Sequence, residues 1–255
     1  MVNLFTGFLS GPDDDLYTFD GEDAKSKLQR SIHAIGGIEI DPSDFMELNI
    51  EPYIKYFTQL IEINRQKVTL RDPDFATETG RAYGVDFSMK YERKAWYFWT
   101  AYSIGYVKRD DGQQVYPPHY DRRHNLNFLG TYDLKKKWEF SARWNLGSGF
   151  PFTQTAGFYE MIDFLDGIST DYTTANGSLG IIYDDKLNGG RLPYYHRFDI
   201  GAKRNIYFPN KNKMEINASV TNIYNRENIF YFDRIRYERV NQLPILPSIA
   251  VSYGF

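Results

Sequence analysis

Apolar and polar residues alternate with a period of two over several stretches of this chain. The pattern is cleanest at the end, where Ile249, Val251, Tyr253 and Phe255 interleave with Ser248, Ala250, Ser252 and Gly254. Met214, Ile216, Ala218 and Val220 alternate with Glu215, Asn217, Ser219 and Thr221. Tyr83, Val85, Phe87, Met89 and Tyr91 alternate with Gly84, Asp86, Ser88 and Lys90, and Trp138, Phe140, Ala142, Trp144 and Leu146 with Glu139, Ser141, Arg143, Asn145 and Gly147. Successive side chains of a strand point to opposite faces, so each stretch predicts a strand with one apolar and one polar face.

Extending this reading predicts nine strands, at 31–41, 44–58, 77–91, 94–108, 121–134, 136–148, 194–207, 213–224 and 246–255. The connections alternate strictly between short (Pro42-Ser43, Glu92-Arg93, Leu134-Lys135, 209–212) and long (59–76, 109–120, 149–193, 225–245). A soluble sandwich and a transmembrane barrel both produce two-faced strands. A sandwich has no reason to sort its loops by end, whereas outer-membrane barrels have short periplasmic turns and longer extracellular loops. The expected fold is therefore all-β: an antiparallel, up-and-down segment of a transmembrane β-barrel. Pro52 interrupts the second strand and predicts a bulge, because proline removes a ladder hydrogen bond.

Composition narrows the picture. The chain carries 21 Tyr, 19 Phe and 4 Trp, yet its mean hydropathy is negative. No run approaches the roughly 18 apolar residues of a membrane helix, but barrel strands need only about 9 to 11 residues with one apolar face. Rings near predicted strand ends, at Tyr91, Trp96, Tyr106, Tyr132, Trp138 and Tyr207, suit either a headgroup-level girdle or ordinary strand propensity. With no cysteine, neither a disulfide framework nor a cysteine zinc site exists. A net charge of −3 with interspersed signs gives no case for nucleic acid. The start, Met1-Val2-Asn3-Leu4, lacks the basic and apolar regions of a secretory signal, which predicts a fragment or processed chain.

Three segments, ETGRAYGVD (Glu78–Asp86), YDRRHNLN (Tyr120–Asn127) and NLGSGFPFTQ (Asn145–Gln154), resemble the C-terminal barrel region of TonB-dependent outer-membrane receptors. Arg197-Phe198-Asp199, the VTNIYN segment (Val220–Asn225) and a final strand ending on Phe255 extend the likeness over nearly the whole chain. The resemblance implies that 1–255 is the C-terminal part of a longer barrel. Residues 1–30 would be an extracellular loop or strand remnant, and 31–255 the nine strands; the plug domain is absent. It implies partners in the remaining strands and plug, in the inner-membrane TonB complex acting through the plug, in outer-membrane lipid, and in a surface lipoprotein cap in some relatives. The function implied is energised uptake of a scarce solute, a siderophore, glycan or peptide, across the outer membrane of a Gram-negative bacterium. The alternative is a passive or structural barrel without a plug. Tyr253 and Phe255 resemble the terminal signal read by the barrel assembly machinery.

Candidate residues follow from position. Glu139, Arg143, Arg197 and Asp199, with Glu47, Glu51, Lys55, Asp86, Lys90 and Lys203, fall on the polar face. There they either contact a plug, as the resemblance implies, or form a hydrated charge ladder. The longest loop carries Phe150, Phe152, Phe158, Tyr159 and Tyr172, rings suited to stacking on a solute or to packing the loop on its neighbours. His119, Tyr120, Asp121, Arg122, Arg123 and His124 read as charge pairing at the barrel mouth. Asp13, Asp14, Asp15, Asp20, Glu22 and Asp23 lack calcium-loop spacing and read as a solvated loop. No metal or cofactor is assigned. With no nucleophile elbow, phosphate loop or His-Glu-x-x-His helix, the expectation is that the chain is not an enzyme.

Overall fold

The computed structural model describes residues 28–67, 72–135, 137–161, 178–209 and 212–255. Among these, all regular structure is β. In chain order the strands are β1 (Arg30–Ile35), β2 (Ile38–Ser43), β3 (Met46–Ile63), β4 (Phe75–Arg93), β5 (Trp96–Asp110), β6 (Val115–Tyr116), β7 (His124–Leu134), β8 (Trp138–Gly147) and β9 (Pro151–Phe152). They continue as β10 (Thr155–Met161), β11 (Ser178–Tyr183), β12 (Gly190–Arg191), β13 (Tyr195–Tyr207), β14 (Lys213–Thr221), β15 (Ile229–Asp233), β16 (Glu238–Asn241) and β17 (Leu246–Gly254). One sheet runs β1-β3-β4-β5-β7-β8-β13-β14-β17, every neighbour antiparallel, with β2 also on β3 and β6 also on β5. Each expected strand has its counterpart, and the short and long connections alternate as the pattern requires.

The register keeps the two faces apart across the sheet. One row passes from Asn49 through Ser88, Ala101, Asn127 and Asn145 to Arg197. The adjacent row, on the other face, runs Leu48, Met89, Thr100, Phe128, Trp144 and Phe198. A one-residue slip anywhere would exchange the faces, so the alternation itself fixes the register. The apolar face is not a core. Ile249 is 75% exposed, Val251 63% and Phe87 39%, and the elements in substantial contact are hydrogen-bonded strand neighbours, with no second layer among the described residues. A sandwich would bury this face; a barrel wall presents it outward.

Pro52 shows how the expected bulge is resolved. Within β3 it keeps its place opposite Val85, and the irregularity lies in the edge strand instead, which breaks into β1 and β2 at Gly36 and Gly37. The Pro52 carbonyl accepts from Gly36 N (3.2 Å), so the side of Pro52 that lacks an N–H faces this break. The bulge in β3 comes later, between Phe57 and Leu60. It shifts the alternation by one, bringing Leu60 and Glu62 to the face that Tyr53 and Lys55 occupy below it. Leu60 and Ile61 are buried with Ala82 and Tyr116, so what core the described residues possess sits at the long-loop end.

Tyr53 lies across its neighbours on the polar face. In register with it stand Gly84 and Gly105, where a Cβ would come within 2.7 Å and 2.6 Å of the Tyr53 hydroxyl oxygen. At the short-turn end aromatic rings join adjacent strands: Tyr91 meets Phe45 and Phe98, and Trp96 stacks on Phe98 and meets Tyr132 at 4.4 Å. A second band lies nearer the long loops, where Tyr83 stacks on Tyr106 and Phe87 on Tyr102. Tyr83 and Tyr91 are eight residues apart on β4, about 27 Å along a strand, which with ordinary barrel tilt approaches the ~25 Å apolar band of such walls.

Candidate ligand site at the long-loop end

The long connections fold into small ladders of their own. β9 pairs with β12, β10 with β11, and β15 with β16. Asparagines lock the last hairpin to the wall. Asn222, in left-handed backbone (φ 54°) and fully buried, donates from Nδ2 to the carbonyls of Arg226 and Leu243 and accepts the Arg226 N–H at Oδ1. Asn228 uses its side-chain amide as a strand would use its backbone, accepting from His196 N (3.1 Å) and donating to His196 O (2.9 Å). Asn225 Oδ1 accepts from Ile245 N (2.9 Å).

Cavities open among these loops, and three of them take in the rings of the longest loop. The first, of about 650 Å³, lies between the base of the longest loop and the β15–β16 hairpin and is lined by Arg122, Phe150, Tyr195, Tyr224, Arg226 and Phe230 among others. The second, of about 660 Å³, is lined in part by Arg65, Asp111, His119, Phe152, Tyr183 and Arg234. The third, of about 410 Å³, involves Phe158, Phe232, Arg234 and Tyr237. Arg234 joins the last two, donating to Thr155 Oγ1 (2.8 Å) and to the Thr153 carbonyl (2.6 Å) while its guanidinium stands 4.9 Å from the Tyr183 ring centre.

Charge is distributed unevenly. Glu78, Tyr116, Arg65, Arg109 and Glu62 form a network: Tyr116 donates to Glu78 (2.7 Å), Arg65 to both Glu78 (2.9 Å) and Tyr116 (2.7 Å), and Arg109 pairs with Glu62. Burial, reinforced by the Glu78 carboxylate, pushes the Tyr116 hydroxyl up to about 12. Asp121, also buried, is met by Arg191, which bonds the Gly149 carbonyl as well (3.0 Å). Arg122 differs. Its guanidinium lies 4.2 Å from the Phe150 ring centre and 5.3 Å from that of Tyr195, above Gly147, where a Cβ would approach within 2.7 Å of Arg122 Nη1. Desolvation there lowers its pKa from the ordinary arginine value.

No family model and no curated protein matches this chain. Among solved structures it is similar to the ferripyoverdine receptor of the outer membrane of Pseudomonas aeruginosa, bound to ferripyoverdine, with a TM-score of 0.56 and 11% identity over 87% of this chain. The likeness is one of fold. It reaches 26% of the receptor's length, so the chain spans about a quarter of the structure it matches. The all-β antiparallel sheet thus resembles in fold part of the barrel of that receptor.

Within that fold the expected site residues separate by height. Phe150, Phe152 and Phe158 each line a different cavity. Tyr159 covers Gly180, where a Cβ would lie 2.3 Å from its ring, and Tyr172 lies outside the described residues, as do the acidic residues 13–15, 20, 22 and 23. On the polar face Glu139 pairs with Lys203 (2.8 Å), Arg197 with Asp199 (3.0 Å) and Glu47 with Lys90 (3.1 Å). Arg143 stands opposite Asp199 in register, but Asp199 turns to Arg197 and to the Asn222 N–H (2.8 Å). Tyr253 lies on the exposed edge strand β17 and Phe255 just past its end. Of the Tyr120–His124 cluster, Asp121 and Arg123 are within ion-pair distance at 3.8 Å, in keeping with charge pairing, whereas Arg122 is stacked on rings. Sequence reading missed Arg191 and Arg226, whose guanidinium partners lie 70 and 32 residues away in the chain.

Proposed function

We propose that this chain is the C-terminal part of the wall of a TonB-dependent outer-membrane transporter, contributing strands and extracellular loops to the uptake of a scarce solute. The observation that carries the reading is a single-layer, two-faced meander with short turns at one end and all its described loop cavities at the other. In this reading the short turns are periplasmic and the apolar rows face lipid. The paired carboxylates and cations of the polar face line a hydrated lumen, where Glu139, Arg143, Arg197 and Asp199 meet the plug. Phe150, Phe152, Phe158, Tyr159 and Tyr172 contact the solute, and Tyr253 and Phe255 direct assembly. β1 with β2 at one side and β17 at the other each have one strand neighbour among the described residues. An unsatisfied backbone group in lipid costs several kcal/mol, so further strands complete the wall, and the plug and inner-membrane TonB complex belong to the same machine.

The chain has no cysteine of its own, so single cysteines placed in it, with any elsewhere in the protein replaced, test the orientation by labelling. With the protein expressed in the outer membrane, a membrane-impermeant maleimide on intact cells labels Lys186→Cys, in a long loop. It labels Asp44→Cys, in a short turn, only after permeabilisation. Equal labelling of both on intact cells, or the reverse order, overturns the orientation and the transport reading with it.

A further inference from the structure

Arg122 and Arg226 hold buried Nε atoms without a hydrogen-bond acceptor among the described residues. Native proteins leave few such atoms unpaired, and a half-buried cation gains from a counter-charge. Arg109 also has an orphaned Nε, but its guanidinium is neutralised by Glu62 and lies 3.7 Å from Glu78. Arg122 and Arg226 have no carboxylate within ion-pair distance among the described residues. The contacts of Arg122 are the Phe150 and Tyr195 rings, and Arg226 spends one Nη2 hydrogen on the Tyr194 carbonyl (3.0 Å). Both line the 650 Å³ cavity, whose one carboxylate, Glu227, is paired with the third arginine of its lining, Arg239.

We propose that this cavity recognises an anionic oxygen group, of the carboxylate or phosphate class, carried on a flat or apolar body. Arg122 and Arg226 are its cationic partners, and the stacked rings of Phe150 and Tyr195 hold Arg122 ready. The size suits a small-molecule ligand. The remaining lining rings, Tyr224 and Phe230, supply the apolar surface on which a planar group rests. The Arg122 guanidinium, already stripped of part of its water by the two rings, loses less on meeting an anion, and the planar fork of an arginine matches a carboxylate or phosphate edge. The proposal rests on the transport reading, in which this end of the wall faces the solute, and it gives that solute a charge sign.

The probes are 1-naphthoate and its neutral isostere 1-naphthamide, measured by equilibrium dialysis against the whole protein, with the strands that complete its wall, in lipid nanodiscs with empty discs subtracted. Naphthoate should bind about tenfold more tightly or better, the range of charge-assisted hydrogen bonds. Arg122→Gln and Arg226→Gln should each bring the ratio of the two affinities most of the way to one. Arg122→Lys should keep part of the preference, and Lys213→Gln, remote at a short turn, all of it. Equal affinity for the two probes, or a preference that survives both glutamine variants, overturns the proposal; should Arg122→Gln fail to fold, Arg226→Gln decides. Loop labelling from outside without an anion preference sinks this inference alone. A preference in a protein whose Lys186→Cys is not labelled on intact cells sinks the transport reading alone.

Discussion

Tyr116 and Glu78 offer the sharpest test of how the loops are held above the wall. They are 3% and 4% exposed, the Tyr116 hydroxyl donates to Glu78 at 2.7 Å, and Arg65 donates to both. Tyr116→Phe deletes two charge-assisted hydrogen bonds, the one donated to Glu78, of about 1.5–3 kcal/mol, and the one accepted from Arg65. The Arg65 side chain is 38% exposed and can rehydrate, which places the loss near the lower end, about 1.5–2 kcal/mol. Glu78→Gln keeps the shape but removes the charge facing two guanidiniums. Breaking a fully buried pair costs about 3–5 kcal/mol, reduced here to about 2–3 kcal/mol by the exposure of Arg65. Because the three groups share hydrogen bonds, the double variant should fall short of the sum by about 1 kcal/mol or more. Urea unfolding of the full protein in detergent micelles, followed by tryptophan emission, measures all three; urea is preferred because it leaves ion pairs unscreened. A Tyr116→Phe loss under about 0.5 kcal/mol, or additivity of the two changes, would refute the network as a unit.

The raised Tyr116 pKa fixes the sign of a pH effect. Its stabilising share is fully present below the ordinary tyrosine value of 10.0 and is lost as pH rises toward about 12, so the urea midpoint should fall over that window, less in Tyr116→Phe than in the parent. Asn222→Ala removes three hydrogen bonds and places a side chain with no local partner in left-handed backbone; a loss of about 2–4 kcal/mol is expected, read as faster proteolysis within the β15–β16 hairpin, with Asn222→Gly recovering only the conformational part. At Gly84 a Cβ would lie 2.4 Å from the Ile104 carbonyl oxygen, whereas at Gly105 its close contact is the Tyr53 hydroxyl. Gly84→Ala should therefore cost about 1–3 kcal/mol, and Tyr53→Ala should relieve Gly105→Ala but not Gly84→Ala. The Phe255 ring is fully exposed, so Phe255→Ala should lower the yield of heat-modifiable protein in the membrane without shifting the unfolding midpoint of what is assembled; an unchanged yield removes its role as an assembly signal.

Local order was legible in the sequence because a strand's period is two whatever surrounds it. The alternation at Tyr83–Tyr91 or Trp138–Leu146 specified both the strand and its faces, and the spacing of short and long connections specified a meander. Pro52 was legible as an irregularity, but not its location. Whether the ladder adjusts at the proline or in the strand beside it depends on which neighbour is the edge, and that is settled only when β1 and β2 pair. The same holds for the site. Phe150, Phe152 and Phe158 were visible as rings in a long loop, yet that each enters a different cavity follows from how β9–β12, β10–β11 and β15–β16 fold back. Arg122 read as one charge in a cluster of charges. Its isolation from carboxylates arises because Asp121 is claimed by Arg191, 70 residues on, while the rings of Phe150 and Tyr195 close on the guanidinium from two different elements. Alternation is a property of adjacent residues and survives in the sequence; the pairing of a charge is decided by whatever the finished fold brings within a few ångströms.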